Sequence, residues 1–182
     1  MLWVAPHLEA VDLPLRMPLE GRNTPIEYVY FVEKGFASVV ANGSGHRSIE
    51  VGLIGREGVT GLAVIIGSEQ SPPETFIQLA GSGQRILSSR LRQAIGQSVS
   101  LHRVLLAYGH AFLVQTGFAA LSNGRNTLEE RLARWLLMAR DRVDGDEIVL
   151  THEFVALMLG VRRRDGNQSF GAQRSYQDNL IE

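Results

Sequence analysis

The sequence predicts an α+β fold, in which a strand-rich first half is followed by a helical second half. Between residues 8 and 88, short β-branched and aromatic runs alternate with glycine-containing segments. From Ser88 onward proline is absent and apolar residues recur at helical spacing. Short strands at this spacing favour an antiparallel sandwich or barrel over βαβ units.

Composition bounds the function classes. Of 182 residues, 45% are hydrophobic and 20% are charged, and the net charge is -1, as in an ordinary soluble protein. Any nucleic-acid surface must therefore be local. The absence of cysteine excludes disulfides and thiolate metal sites. Proline and acidic residues interrupt the first 16 residues, and no uninterrupted apolar run reaches the roughly 18 residues of a membrane span, so we expect a cytoplasmic protein with no membrane partner.

The strand-rich half contains several candidate turns. Tyr28 to Val32 and Phe36 to Ala41 are predicted as two strands, with a turn at Glu33-Lys34-Gly35 between them and another at Asn42-Gly43. The glycine pair in Gly81-Ser82-Gly83 predicts a hairpin turn between two further short strands.

One later strand shows clear alternation. In "RSIEVGLI", the apolar residues Ile49, Val51 and Leu53 fall on one face, which is expected to point into the core.

A long helix follows, and apolar residues occupy much of its circumference. Five residues define its main stripe: Leu101, Leu105, Tyr108, Phe112 and Ala119. A neighbouring face carries Leu106, Leu113 and Ala120. A helix of this kind must be buried on more than one side. We interpret it as a dimerisation helix that lies between the strand domain and a second copy; the alternative is a core helix within one chain.

The next helix has a clear start signal. Thr127 and Glu130 have the spacing of a capping box. Its predicted buried stripe comprises Leu128, Leu132, Trp135, Leu136 and Ala139, and Asp144-Gly145 is expected to end it.

The stretch after Leu150 has the first half of a helix-turn-helix. Thr151 suits an N-cap, Ala156 is small where two helices would cross, and Gly160 suits the turn. The second helix should bury residues six and nine positions after Gly160, but these are Gly166 and Ser169. Residues 164 to 182 are polar and without period, which predicts a disordered tail.

The segment "LEERLARWLLMARDRVDGDEIVLTHEFVALMLGVRR" resembles the hinge and DNA-binding region of the Crp/Fnr family of bacterial transcription regulators. "PIEYVYFVEKGFASVV" and "VGLIGREGVTGLAVIIG" are similar to that family's sensor domain. The resemblance implies a cyclic-nucleotide-binding-like β-roll of the jelly-roll type over residues 8–88 and a connecting and dimerisation helix over 89–124. It further implies an incomplete winged helix-turn-helix over 125–163, with the tail at 164–182, as in a truncated or frameshifted gene product.

The resemblance places an effector pocket at Gly58, Val59, Thr60, Gly61 and Leu62. Relatives that bind cyclic nucleotides have a glutamate after the cassette glycine, but Val59 follows Gly58 here, and Pro73 and Glu74 lie near the expected arginine–serine pair. No Lys, Arg or His lies between Arg56 and Arg85 to balance a phosphate. We therefore expect no response to cyclic AMP, and either another small-molecule effector or none.

By the same resemblance, Thr151 would contact a DNA phosphate and Arg163 would read a base, with Arg162 adding a phosphate contact. The alternative for this cluster is solvated arginines on the tail. No catalytic constellation, metal-ligand spacing or cofactor motif is present in the sequence, so an enzyme is not predicted.

The leading hypothesis is therefore a homodimeric regulator that binds duplex DNA, with DNA binding impaired by the incomplete recognition helix. The alternative is a dimerising sensor or interaction module without DNA binding, either degenerate or sequestering related regulators.

Overall fold

The computed structural model of the chain describes residues 4–44 and 48–145. A short 3-10 helix at Ala5–His7 precedes the first strand. The remaining elements in chain order are β1 (Glu9–Leu13), β2 (Pro18–Glu20), β3 (Tyr28–Asn42), β4 (Ser48–Ile54), α1 (Leu62–Ile65), β5 (Glu74–Leu87), α2 (Ser88–Gln97), α3 (Val99–Arg125) and α4 (Leu128–Arg140). The predicted order of strands first and long helices second is confirmed.

The strands form one antiparallel sheet with the order β1-β5-β3-β4, and β2 also pairs with β5. The long central strands β3 and β5 pair along most of their length, from Tyr28 opposite Leu87 to Val40 opposite Glu74. The register shifts several times along this pair, and such bulges bend and twist a sheet so that it can curl around a core.

Two predicted turns are wrong, because the glycines that suggested them lie inside continuous strands. Gly35 has φ 76° at a bulge in β3 rather than in a hairpin. On β5, a Cβ at Gly81 would lie 1.9 Å from the Lys34 carbonyl oxygen, and one at Gly83 would lie 2.3 Å from the Phe31 carbonyl oxygen. These glycines therefore allow β3 and β5 to approach closely.

The core has three parts. One lies under α1 and α2 and includes Val29, Val59 and Leu91. A second fills the inside of the sheet around Leu13, Val32 and Ile77. The third joins β3 and β4 to α4 and comprises Phe36, Leu53, Trp135 and Ala139. Because α4 contributes to the third part, the last described helix is packed directly on the sheet domain.

Strand β4 differs from its predicted alternation. Val51 and Leu53 contact the core, but Glu50, Gly52 and Ile54 are buried as well. The strand is also covered on the face that the alternation assigned to solvent, because Glu50 bonds to Trp135 of α4 and Gly52 lies against Phe112 of α3.

The predicted capping box of α4 is confirmed. The Thr127 hydroxyl accepts the Glu130 amide at 3.3 Å, and the Glu130 carboxylate accepts the Thr127 amide at 2.8 Å. Trp135 and Ala139 are buried as predicted, but Leu136 is 37% exposed and does not belong to the buried stripe. The helix also ends earlier than expected, at Arg140.

Candidate functional site

The predicted effector segment, Gly58 to Leu62, lies between β4 and α1, beneath α3. Val59 and Thr60 are 3% and 0% exposed, and Leu62 begins α1 and is partly buried. Val59 forms an isolated bridge with Phe31 of β3. The segment is therefore part of the packed interior.

Three backbone amides of this segment donate hydrogen bonds within the chain. Gly58 donates to the Gly55 carbonyl at 2.9 Å, and Thr60 donates to the Tyr30 carbonyl at 2.9 Å. Gly61, in a left-handed conformation with φ 70°, donates to Glu20 Oε1 at 2.8 Å. The Thr60 hydroxyl in turn accepts the Tyr30 amide at 2.9 Å. An incoming anion would have to displace one of these partners.

Glu20 places a carboxylate of the chain itself at the amide where an anion would bind. The residue is 8% exposed, on strand β2. Burial raises the pKa of Glu20, and the hydrogen bonds from the Gly61 amide and the Thr75 side chain act in the opposite direction. When ionised, Glu20 would also repel a phosphate at the same position.

Tyr108 of α3 covers the other end of the segment. A Cβ at Gly58 would lie 2.2 Å from the Tyr108 hydroxyl oxygen, so any other side chain there would have to displace the Tyr108 ring. Within the described part of the chain this buried hydroxyl makes no hydrogen bond of good geometry. Burial raises the pKa of Tyr108, as does the charge of Glu57, while the nearby Val59 amide offsets part of the effect. Tyr108 is therefore a neutral phenol that fills space against Gly58.

The five residues predicted for the dimer helix lie on the side of α3 that faces the sheet domain. Leu105 and Ala119 are buried, whereas Leu101, Tyr108 and Phe112 are half-buried. Leu101, Leu105, Tyr108 and Phe112 contact the sheet-domain core. The Gln115 side chain fixes the same side to β4, accepting the Leu53 amide at 2.6 Å and donating to its carbonyl at 3.2 Å.

The opposite side of α3 exposes large apolar side chains. Leu113 is 68% exposed and Phe118 is 58% exposed. We call this surface the outer face of α3; its large exposed members are Val99, Val104, Leu106, Leu113, Val114, Phe118 and Leu121. Exposed apolar side chains in this number are typical of a surface that contacts another molecule.

By length and composition alone, α3 is long and apolar enough to cross a membrane, with 27 residues and a mean hydropathy of 1.5 over its most apolar window. This differs from the sequence expectation, because that expectation considered only uninterrupted apolar runs. Packing of one side of α3 on the sheet favours a second polypeptide as the partner of its outer face.

A second polar cluster lies where α4 meets the sheet. Glu50 of β4 is 7% exposed. It accepts hydrogen bonds from Trp135 Nε1 and from the Ser38 hydroxyl, each at 2.6 Å. Sequence reasoning missed this cluster, because a glutamate between Ile49 and Val51 is typical of a solvent-facing strand position. A tryptophan indole, which needs an acceptor when buried, was the available signal.

The loop that precedes the effector segment also contacts the end of α4. Arg56 pairs with Asp144 at 3.0 Å, and Arg142 pairs with Glu57 at 2.6 Å. The loop between β4 and Gly58 is thus linked to the residues that follow α4.

The predicted DNA-contacting residues Thr151, Arg162 and Arg163 lie outside the described residues, as do the helix-turn-helix stretch and the tail. Among residues 4–44 and 48–145, no group of three or more His, Asp or Glu side chains is placed to hold a metal ion.

No family profile matches the chain, and no curated protein matches it. Solved structures do. The c-di-GMP responsive global regulator CLP of Xanthomonas campestris superposes with a TM-score of 0.74 at 17% identity, covering 94% of this chain and 89% of its own. FixK2 of Bradyrhizobium japonicum gives 0.76 at 20% identity, with 93% and 86% covered.

A transcriptional regulator of the CRP/FNR family from Thermus thermophilus, TTHA1359, gives a TM-score of 0.70 at 15% identity, with 92% of this chain and 87% of its own covered. These similarities confirm the expected cyclic-nucleotide-binding-like sensor fold followed by a long helix. This chain therefore has the fold of the Crp/Fnr transcriptional regulators.

Proposed function

We propose that this chain is a dimeric, cytoplasmic transcription regulator of the Crp/Fnr type that binds duplex DNA and does not respond to cyclic AMP. The observation that carries the proposal is the combination of this fold with the exposed outer face of α3. The structures it resembles include transcriptional regulators, which favours a regulator over an enzyme.

The arrangement of the outer face supports dimerisation. Val99, Leu106, Leu113 and Ala120 are spaced by seven residues and all are exposed. This is the repeat that lets two helices pack along a common seam. Gly117 lies on the same side, and a Cβ there would meet nothing within 4 Å, which leaves room for close approach of a second helix. A second copy of α3 satisfies both features.

The contacts of the effector segment support a sensor that ignores cyclic nucleotides. Glu20 already occupies the Gly61 amide, and Tyr108 fills the space over Gly58. No basic residue between Arg56 and Arg85 can balance a phosphate. We therefore infer that any effector is uncharged or binds elsewhere, or that the sensor is held in one state by its own residues.

DNA binding is assigned to the segment that follows α4. There, Thr151, Arg162 and Arg163 are the proposed contacts, and the three consecutive arginines from Arg162 make the segment locally basic. The absence of apolar residues at positions 166 and 169 is expected to weaken this interface rather than to change its location.

Fluorescence anisotropy with a labelled random duplex, across salt concentrations, tests the proposal. We expect binding at low salt that weakens steeply as salt rises, and a loss of affinity of about 10-fold or more in Arg162→Ala/Arg163→Ala. The matched control is Arg90→Ala/Arg92→Ala, which removes two exposed charges from α2 and should leave affinity unchanged. No binding at low salt would refute the DNA-binding proposal.

A dimerising module without DNA binding is the second candidate. It is favoured by the outer face of α3, which requires a partner whether or not DNA is bound. A dimer in solution combined with no DNA binding at low salt would establish this alternative.

A further inference from the structure

One buried carboxylate adds a polar contact to the apolar packing of α4 on the sheet domain. Both oxygens of Glu50 are engaged: Oε1 accepts the indole N–H of Trp135, and Oε2 accepts the hydroxyl of Ser38. Phe36 packs edge-on against the same indole, with ring centroids 6.1 Å apart. The contact joins β3, β4 and α4. Glu50 and Trp135 are 85 residues apart in the sequence.

Glu50 is buried, and polar and cationic side chains lie on one side of it. A small cavity beside it is lined by Ser122 and Asn123 from α3 and by Arg131 and Arg134 from α4. Arg134 donates to the Gln115 carbonyl at 3.4 Å, and Arg131 donates to Asn123 Oδ1 at 3.0 Å. The charges of Arg134 and Arg142 act on Glu50 without forming an ion pair within 4 Å among the described residues.

We propose that Glu50 and Trp135 form a proton-sensitive latch that holds α4 on the sheet domain. Trp135 can only donate through its indole N–H, and a protonated Glu50 still offers a carbonyl oxygen to it. The acid proton can then be donated to the Ser38 oxygen, so both contacts survive protonation.

Proton binding favours the docked arrangement. Burial raises the pKa of Glu50 from 4.5 to about 7, while hydrogen bonds from Ser38 and Trp135 and the charges of Arg134 and Arg142 act in the opposite direction. If α4 moves away, Glu50 meets water and its pKa returns toward 4.5. Between these two values the docked state holds a proton that the undocked state has lost.

The difference in the pKa of Glu50 between the two states determines how docking of α4 depends on pH. The docked state is favoured most below pH 4.5, loses that advantage as the pH rises toward about 7, and changes little above it. Over the whole interval the ratio of docked to undocked protein falls by roughly 300-fold at most, the power of ten that corresponds to the difference between 4.5 and about 7.

Two ion pairs supplement the latch but differ from it in character. The Arg56–Asp144 pair is exposed, with 52% and 78% of the two side chains accessible, and is therefore screened by salt. The Arg142–Glu57 pair is partly exposed. Because Glu50 is buried, its contribution depends on pH more than on salt, which separates the two kinds of contact experimentally.

Trp135 provides its own reporter. The chain has two tryptophans, so Trp3→Phe leaves Trp135 as the single tryptophan, which can be excited selectively over the four tyrosines. In the full chain carrying Trp3→Phe, we expect Trp135 emission to change with a midpoint near pH 7, and acrylamide quenching to increase toward pH 8.

Glu50→Gln should abolish that transition, because the amide keeps the indole contact but cannot titrate. Ser38→Ala should move the midpoint to higher pH, because it removes a hydrogen bond that stabilises the carboxylate. Glu69→Gln, at an exposed position between α1 and β5, is the matched control and should leave the midpoint in place; the five histidines are unchanged in all variants.

A transition that persists in Glu50→Gln, or its absence in the parent between pH 5 and 8, would overturn the proposal. If Glu50→Gln does not fold, an unmoved midpoint in Ser38→Ala has the same force. Any effect of the latch on DNA binding rests on the proposed function, but the fluorescence measurement contains no DNA. Failure to bind DNA therefore leaves the test of the latch intact.

Discussion

The effector segment and the outer face of α3 lie on the two sides of one helix and differ in how completely the chain satisfies them. Between Gly58 and Leu62, groups of the same chain occupy the amides of Gly58, Thr60 and Gly61, the hydroxyl of Thr60 and the space over Gly58. On the outer face, Leu113 and Phe118 remain more than half exposed. The effector segment is therefore satisfied by groups of its own chain, whereas the outer face of α3 remains exposed.

The difference shows where this protein needs a partner. Buried polar groups are costly unless paired, and here Glu20 and Thr60 provide the pairs. Burying the outer face requires apolar surface that the described part of the chain does not provide. Interaction with another molecule is therefore expected at α3 rather than at the effector segment.

The largest expected effect comes from charging the outer face. Leu106→Glu/Leu113→Glu would bury two unpaired carboxylates in the proposed seam, at a cost of several kcal/mol. We expect the dimer dissociation constant, measured by sedimentation velocity, to rise by about 100-fold or more.

The matched control for this variant is Gln97→Glu, on an exposed position of α2, which should leave the dimer unchanged. A parent protein that is monomeric at tens of micromolar and floats with lipid vesicles would show that the outer face contacts a membrane, and would refute the proposed dimer.

An intermediate effect is expected from filling the space over Gly58. Gly58→Ala places a methyl group 2.2 Å from the Tyr108 hydroxyl oxygen, and overpacking of this kind costs about 1–3 kcal/mol in the free energy of unfolding. The cost should shrink in a Tyr108→Ala background, as chemical denaturation of the four proteins of the cycle would show.

Gly96→Ala is the control for this cycle, because a Cβ at that helical position meets nothing within 4 Å. It should be neutral or stabilising, by up to about 1 kcal/mol. Equal costs of Gly58→Ala in both backgrounds would show that Tyr108 does not close the pocket.

The smallest effect is expected from neutralising Glu20. Its raised pKa means that its contribution to stability is greatest below pH 4.5 and is lost as the pH rises through the raised value. Glu20→Gln keeps an oxygen for the Gly61 amide and removes this decline. We expect the free energy of unfolding, obtained from thermal unfolding at pH 8, to rise by less than ~1 kcal/mol. The same free energy should depend less on pH between pH 5 and 8 than in the parent protein.

Glu27→Gln, at an exposed position, should not change that profile. A Glu20→Gln protein that is less stable than the parent at pH 8 would mean that the ionised carboxylate is required to close the pocket.

Much of the fold was predictable from local patterns, and the failures have a common cause. The capping box of Thr127 and Glu130 is a contact between neighbours in sequence, so it was found. Gly35, Gly81 and Gly83 suggested turns, but glycine is equally required where two strands cross closely, and only the pairing of β3 with β5 distinguishes the two uses.

The candidate functional surfaces also include features that the sequence shows and features that only the fold decides. The cation-free interval between Arg56 and Arg85 and the apolar character of α3 are visible in the sequence alone. The sequence does not show which side of α3 stays exposed, because Leu105 and Leu106 are equally apolar. Only the packing on the sheet determines that Leu105 is covered.

The sequence by itself determined the order of strands and helices, the cap of α4, and the lack of a basic residue between Arg56 and Arg85. Each of these depends on neighbouring residues or on composition. Only the tertiary structure decided that Glu20 meets the Gly61 amide and that Glu50 meets the Trp135 indole, contacts that span 41 and 85 residues. The physical reason is that a glutamate is read as solvent-exposed until the fold removes its water and brings it a donor.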